Sequence, residues 1–132
     1  MSTSGSSPYA VGQLWRCRGR HPGERPLLLI NRIDQHPLGG EILHVTLREV
    51  QIRHAGLPGG VMTSMAHVPV IGQVFERSEA ELVGHDLPDP VYLEGYQQWK
   101  RAFDAGNAGS FGIAVGEILA SIERLIAQRD GH

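Results

Sequence analysis

Seven histidines and one cysteine are the side chains with most chemistry to offer, and their spacing limits what that chemistry can be. His21, His36, His44, His54, His67, His85 and His132 are scattered, and Cys17 alone supplies no thiolate pair, so no metal site is expected and no cofactor is implied. His67 is the one candidate for acid–base work or anion binding. It adjoins the Gly-rich stretch "AGLPGGVMTSMA" (residues 55–66) and precedes an expected helix N-terminus, where backbone donors and the helix dipole gather anions. Capping that loop and orienting Pro69 is its plainer role. Catalysis would need a partner acid or nucleophile, such as Asp86 or Glu94, and nothing in the spacing brings either to it. Met62 and Met65, in the same stretch, join His67 as binding candidates, because long loops often carry function.

Other chemical signatures are missing. There is no G-x-S-x-G elbow, no G-x-G-x-x-G and no H-E-x-x-H, and "GLPGG" (56–60) lacks the Lys and Ser/Thr of a phosphate loop. Cys17 alternates with Arg16 and Arg18, which would lower its pKa if it were exposed. Its phase matches Trp15, however, so a buried structural thiol is expected. Arg16, Arg18 and Arg20, with Arg25 and Arg32, form the one basic cluster that could attract nucleic acid. Residues 1–55 carry seven Arg against four acids, and residues 56–132 carry five bases against ten acids. That split marks either a basic face or an ordinary dipole within one fold.

The elements that must position these residues come from pattern. At 132 residues, with 41% apolar and 20% charged, the chain is one domain able to bury about two-thirds of its unfolded surface. Residues 1–10 read as a flexible tail without the parts of a secretion signal, no apolar run suits a membrane helix, and one cysteine excludes an internal disulfide. A cytoplasmic protein is the expectation. The period is two in a β-rich half, 11–55, and near 3.6 in a mainly helical half, 56–129. "VGQLWRC", "LLLINRID" and "EILHVTL" read as strands. After Leu43, Val45 and Leu47 the apolar phase slips to Val50 and Ile52, which a hairpin at Arg48-Glu49 or a bulge would explain. The fold class expected is α+β, with an N-terminal curved antiparallel sheet or small SH3-like barrel followed by about three helices. Those helices fall near 69–83, with Val70, Val74, Phe75, Ser78 and Leu82 inward, near 91–105, and near 114–128.

The middle helix carries half of the eight aromatic residues. Tyr92, Tyr96, Trp99 and Phe103 repeat at i, i+4, i+7 and i+11, within about 60° of arc. With Trp15 they are expected to be structural core rather than a stacking surface, each ring contributing about 1.5 to 3 kcal/mol.

In the order "GQLWRCRGRHPGE", "ILHVTLREVQI", "HVP" and "EGYQQWKRAFDAGNAGSFGIAVGEIL", the chain resembles a family of short standalone bacterial proteins of uncharacterised function. The family pattern is matched by Gly12 and Trp15, by Pro22, Gly23 and Glu24, by His67 and Pro69, by Gly95, Tyr96 and Trp99, and by Ala108, Gly109 and Phe111. Two positions depart from it. Arg48-Glu49 replaces an expected Asp-Gly, and Ala114 replaces a Ser that would cap the last helix, a loss of about 0.5 to 2 kcal/mol. The resemblance supports the architecture and transfers no catalytic residue. The favoured function is a non-catalytic protein-binding module of the toxin-neutralising (immunity) type, its partner a protein such as a co-encoded toxin. The alternatives are a nucleic-acid-binding small barrel using the arginine face, and an enzyme acting through His67.

Overall fold

The computed structural model describes residues 7–36 and 40–130. Five strands, β1 (Gln13–Arg16), β2 (Leu27–His36), β3 (Gly40–Arg53), β4 (Val61–Val70) and β5 (Glu81–His85), form one antiparallel sheet in the order β4-β3-β2-β1-β5. Helices α1 (Gln73–Arg77), α2 (Tyr92–Asp104) and α3 (Val115–Asp130) complete an α+β fold. The sheet is open, with β4 and β5 as its edges, where a closed barrel would have paired them. Among the described residues no helix is long and apolar enough to cross a membrane.

Strand β3 divides the molecule, because successive side chains point to opposite faces. Leu43, Val45 and Leu47 join Leu28, Ile30, Val68 and Val70 in one buried cluster, which α3 completes with Val115, Ile118 and Leu119 and α1 with Val74 and Phe75. The intervening His44 meets the rings of Tyr96 and Trp99 on α2. The two long helices therefore lie on opposite faces of the sheet, α3 over an aliphatic one and α2 over a polar, aromatic one.

Three bulges set which residue faces which helix. Between β2 and β3 the register passes from Ile30↔Val45 to Arg32↔His44, leaving Asn31 as an extra residue. Between β3 and β4 it passes from Val45↔Val68 to Leu47↔Met65, so Ala66 and His67 together oppose Thr46. The third lies between Arg48↔Ser64 and Ile52↔Met62, with Glu49 at φ 58°. It causes the phase slip after Leu47: Val50 and Ile52 rejoin the aliphatic cluster within one long strand, with no hairpin at Arg48-Glu49.

The second half is less helical than its pattern predicts. Residues 61–70, expected as loop and helix start, are the edge strand β4, and the expected helix over 69–83 breaks into the end of β4, the short α1 and strand β5. Val70, Val74, Phe75 and Ser78 are buried as their spacing implies, but Glu79 turns to φ 51° and Leu82 is exposed. Pro69 is tolerated because its strand is an edge: its carbonyl accepts the Phe111 N–H away from β3, and its missing N–H lies on that same outer side. Tyr9, placed in the expected tail, packs on Trp15 and Phe75 and donates to the Gly72 carbonyl; residues 1–6 of that tail lie outside the described residues. Helices α2 and α3 occupy the ranges their periodicity predicts, and Gly106 follows α2 at φ 80°.

Candidate functional site

Three titratable side chains stand in line between the sheet and α2. His44 Nε2 lies 3.1 Å from Asp34 Oδ2, and His44 Nδ1 lies 2.9 Å from His67 Nε2. A carboxylate only accepts, so His44 carries its proton on Nε2; its Nδ1 is then an acceptor, and His67 donates to it through Nε2. The order is fixed: His67 donates to His44, and His44 donates to Asp34. Asp34 also accepts from the Tyr96 hydroxyl at 3.0 Å and from Arg32 Nε at 2.8 Å, while the Arg32 guanidinium lies over the Tyr96 ring at 4.5 Å. The three residues form a line rather than a cage, and among the described residues no group of His, Cys, Asp and Glu could hold a metal ion.

Two bulges create this line. The extra residue Asn31 brings Arg32 opposite His44 and lets the Asn31 amide reach Thr46 Oγ1 at 2.8 Å. The Ala66-His67 bulge places His67 beside His44, their rings stacked at 5.1 Å, and Thr46 Oγ1 donates to the freed Ala66 carbonyl. Gly95 lets α2 approach: a Cβ there would stand 2.9 Å from that of His67.

Burial governs the protonation of the line. It pushes His44 down to about 4, helped by neighbouring His67 and opposed by Asp34, and it lowers His67 as well. Both rings are therefore neutral near pH 7. Burial works against the Asp34 carboxylate, but the donations from Arg32 and Tyr96 and the charge of Arg32 outweigh it, and its pKa falls.

A cavity of about 400 Å³ opens beside this layer, at the C-terminal half of α2. Trp99 and Phe103 stack at 4.6 Å and 20° in its wall, His36 meets Phe103 edge-on, and the ion pairs Arg32–Asp34 and Lys100–Asp104 flank it. The indole of Trp99 donates to the Gly109 carbonyl at 2.8 Å, which fixes its ring. Asp34 reaches the cavity wall, whereas His44 is fully buried and neither it nor His67 is part of that wall.

The residues singled out by sequence fall in different places. His67 lies within strand β4, not before a helix, and its acid is Asp34, reached through His44. Of the candidates considered for that role, Asp86 pairs with Arg48 and Glu94 is exposed at the start of α2. Met62 and Met65 are half-buried against the aliphatic cluster. Arg16 pairs with Glu49, Arg18 with Glu79, Arg20 with both Glu24 and Glu123, and Arg32 with Asp34, so four of the five arginines of the basic cluster already have a carboxylate partner within the fold. Cys17 is buried, and burial pushes its thiol up to about 12. Trp15 packs on Phe75 beneath the aliphatic side; Tyr92 and Tyr96 are buried, and Trp99 and Phe103 are half-buried along the cavity.

Asp34 and His44 carried no signal of their own, although the aromatic stripe of α2 requires a sheet face to cover, and the alternate residues of β2 and β3 provide it. The motifs quoted for the family resemblance meet in space: His67 packs on Gly95, Trp99 bonds to Gly109, and Pro69 bonds to Phe111. No protein-family model, no curated protein and no solved structure matches the chain.

Proposed function

We propose that this chain is a non-catalytic protein-binding module of the toxin-neutralising kind, acting in the cytoplasm and engaging its partner through the cavity at the C-terminal half of α2. One observation carries the reading. The cavity presents aromatic rings and exposed charges, its two wall carboxylates, Asp34 and Asp104, are engaged in ion pairs with Arg32 and Lys100, and the His44 and His67 rings are packed under α2 outside its walls. Pockets of this make-up, with rigid aromatics at the centre and charges at the rim, are where protein partners insert anchor side chains. The ion pairs of Arg16, Arg18 and Arg20 count against a nucleic-acid surface, since each phosphate contact would have to displace a carboxylate already in place.

The test is capture of binding proteins from the host's lysate at moderate salt, with and without nuclease, by the tagged protein and by its Asp104→Arg variant. One stoichiometric protein that survives nuclease and is lost with the variant is the expected result. Recovery of many proteins that disappears on nuclease treatment would instead favour the arginine cluster and nucleic acid.

A further inference from the structure

The chemistry of the cavity wall indicates which partner group it takes. Its centre is a stack of rings, Tyr96 against Trp99 at 6.1 Å and Trp99 against Phe103 at 4.6 Å, so the faces between them are used and the stack has its two end faces to offer. Aromatic faces carry negative potential, so they attract planar cations and repel anions. The first face is already used in this way, by the guanidinium of Arg32 over Tyr96.

The two flanking ion pairs are not equivalent. Asp34 accepts from Arg32, Tyr96 and His44, which leaves it little capacity for a ligand. Asp104 accepts from Lys100 alone among the described residues; the pair spans one helical turn, and the two side chains are 47% and 59% exposed. An exposed pair of that kind is worth about a factor of two in an equilibrium constant, so an incoming cation can displace Lys100 cheaply. Lys100 is thus a weak internal occupant of a cation site.

We infer that the cavity receives an arginine side chain of a protein partner, its guanidinium laid on the outer face of Phe103, at the opposite end of the stack from Arg32, and paired with Asp104. This rests on the cavity being the binding surface, but its test needs no partner protein. The tripeptides acetyl-Gly-Arg-Gly-amide and acetyl-Gly-Glu-Gly-amide are titrated into the full chain while the Trp99 indole N–H resonance is followed by NMR.

The arginine peptide is expected to shift that resonance saturably, and the glutamate peptide to leave it in place. Lys100→Ala should tighten the arginine peptide by about twofold by removing the competitor, and Asp104→Asn should weaken it by at least about threefold. Both positions are exposed, and circular dichroism checks that each variant is folded. A shift with the glutamate peptide that Lys100→Ala abolishes would make this an anion site and overturn the inference, as would no shift with either peptide. Arginine-peptide binding without any captured protein would instead overturn the protein-binding reading and leave this site standing.

Discussion

Strand β3 carries two economies on one backbone. Its aliphatic side, Leu43, Val45 and Leu47, is sealed by Ile118 and Leu119 of α3 and gains stability from area removed from water. Its other side sets His44 and Thr46 beside one apolar residue, Ile42, faces α2, and is dominated by polar groups that gain little on burial and depend on partners. Every buried side-chain nitrogen and oxygen among the described residues has a partner, so the polar side is complete rather than frustrated. The first face tolerates any apolar group of the right volume, whereas the second works only in one geometry. That rigidity is what a preorganised cavity at its margin requires.

The comparison is broken most sharply on the aliphatic side. Leu119 is fully buried, and Leu119→Ala should cost about 2 to 5 kcal/mol in urea unfolding at pH 7, with the cavity left behind adding to lost burial. That cost should stay nearly constant with pH. A loss well below that range would mean that α3 contributes far less to the fold than its packing implies.

The polar side should instead show itself through pH. His44 titrates near 4 when folded and near 6.5 when unfolded, so between these values the unfolded chain binds more protons. Its contribution is therefore fully present above about pH 6.5 and fades as pH falls towards 4, a loss on the order of 3 kcal/mol. His67, also lowered, acts in the same direction; Asp34, lowered from 3.8, adds its own loss only below that value. Arg32, beside them, stays charged throughout. Unfolding free energies at pH 7, 5.5 and 4.5 should fall steeply for the wild type and far less for His44→Leu. Equal slopes in both proteins would remove the buried histidine as the cause.

This contrast also explains what the sequence could reveal. The aliphatic side was legible because apolar periodicity marks it directly: Val115, Ile118, Leu119 and Ile122 announce α3, and Leu43, Val45 and Leu47 announce β3. The α2 stripe was legible for the same reason, as a pattern of rings. What lay under the rings was not, because a histidine alternating with leucines in "EILHVTL" has the same pattern whether its face meets water or a helix. Asp34 joins His44 only through the Asn31 bulge, and His67 only through the bulge opposite Thr46; each extra residue shifts the apolar phase, from Ile30 to Ile33 and from Met65 to Val68, but the shift does not say which neighbouring strand absorbs it. Strand β4 was missed because Met, Ser, Ala and Pro are weak strand formers, and Pro69 fits a helix start as well as an edge strand.

Ser78 gives the smallest and most discriminating break, because it is a buried polar residue lodged among the aliphatic contacts. Its hydroxyl donates to the Val74 carbonyl and accepts the Val115 N–H at 2.8 Å, so it joins the end of α1 to the first turn of α3. Ala114 has no side chain to cap that turn; Glu117 still reaches back to the Ala114 N–H at 3.4 Å, and Ser78 supplies an acceptor from 37 residues away. Ser78→Ala should therefore cost about 0.5 to 2 kcal/mol, the range of a lost cap, although it removes a single oxygen and leaves the apolar packing in place. Hydrogen exchange at Val115 should accelerate more than exchange at Leu47, which lies in the same cluster but owes nothing to the hydroxyl. If instead the loss spreads evenly over both amides, Ser78 acts as packing volume, and the aliphatic side is held by area alone.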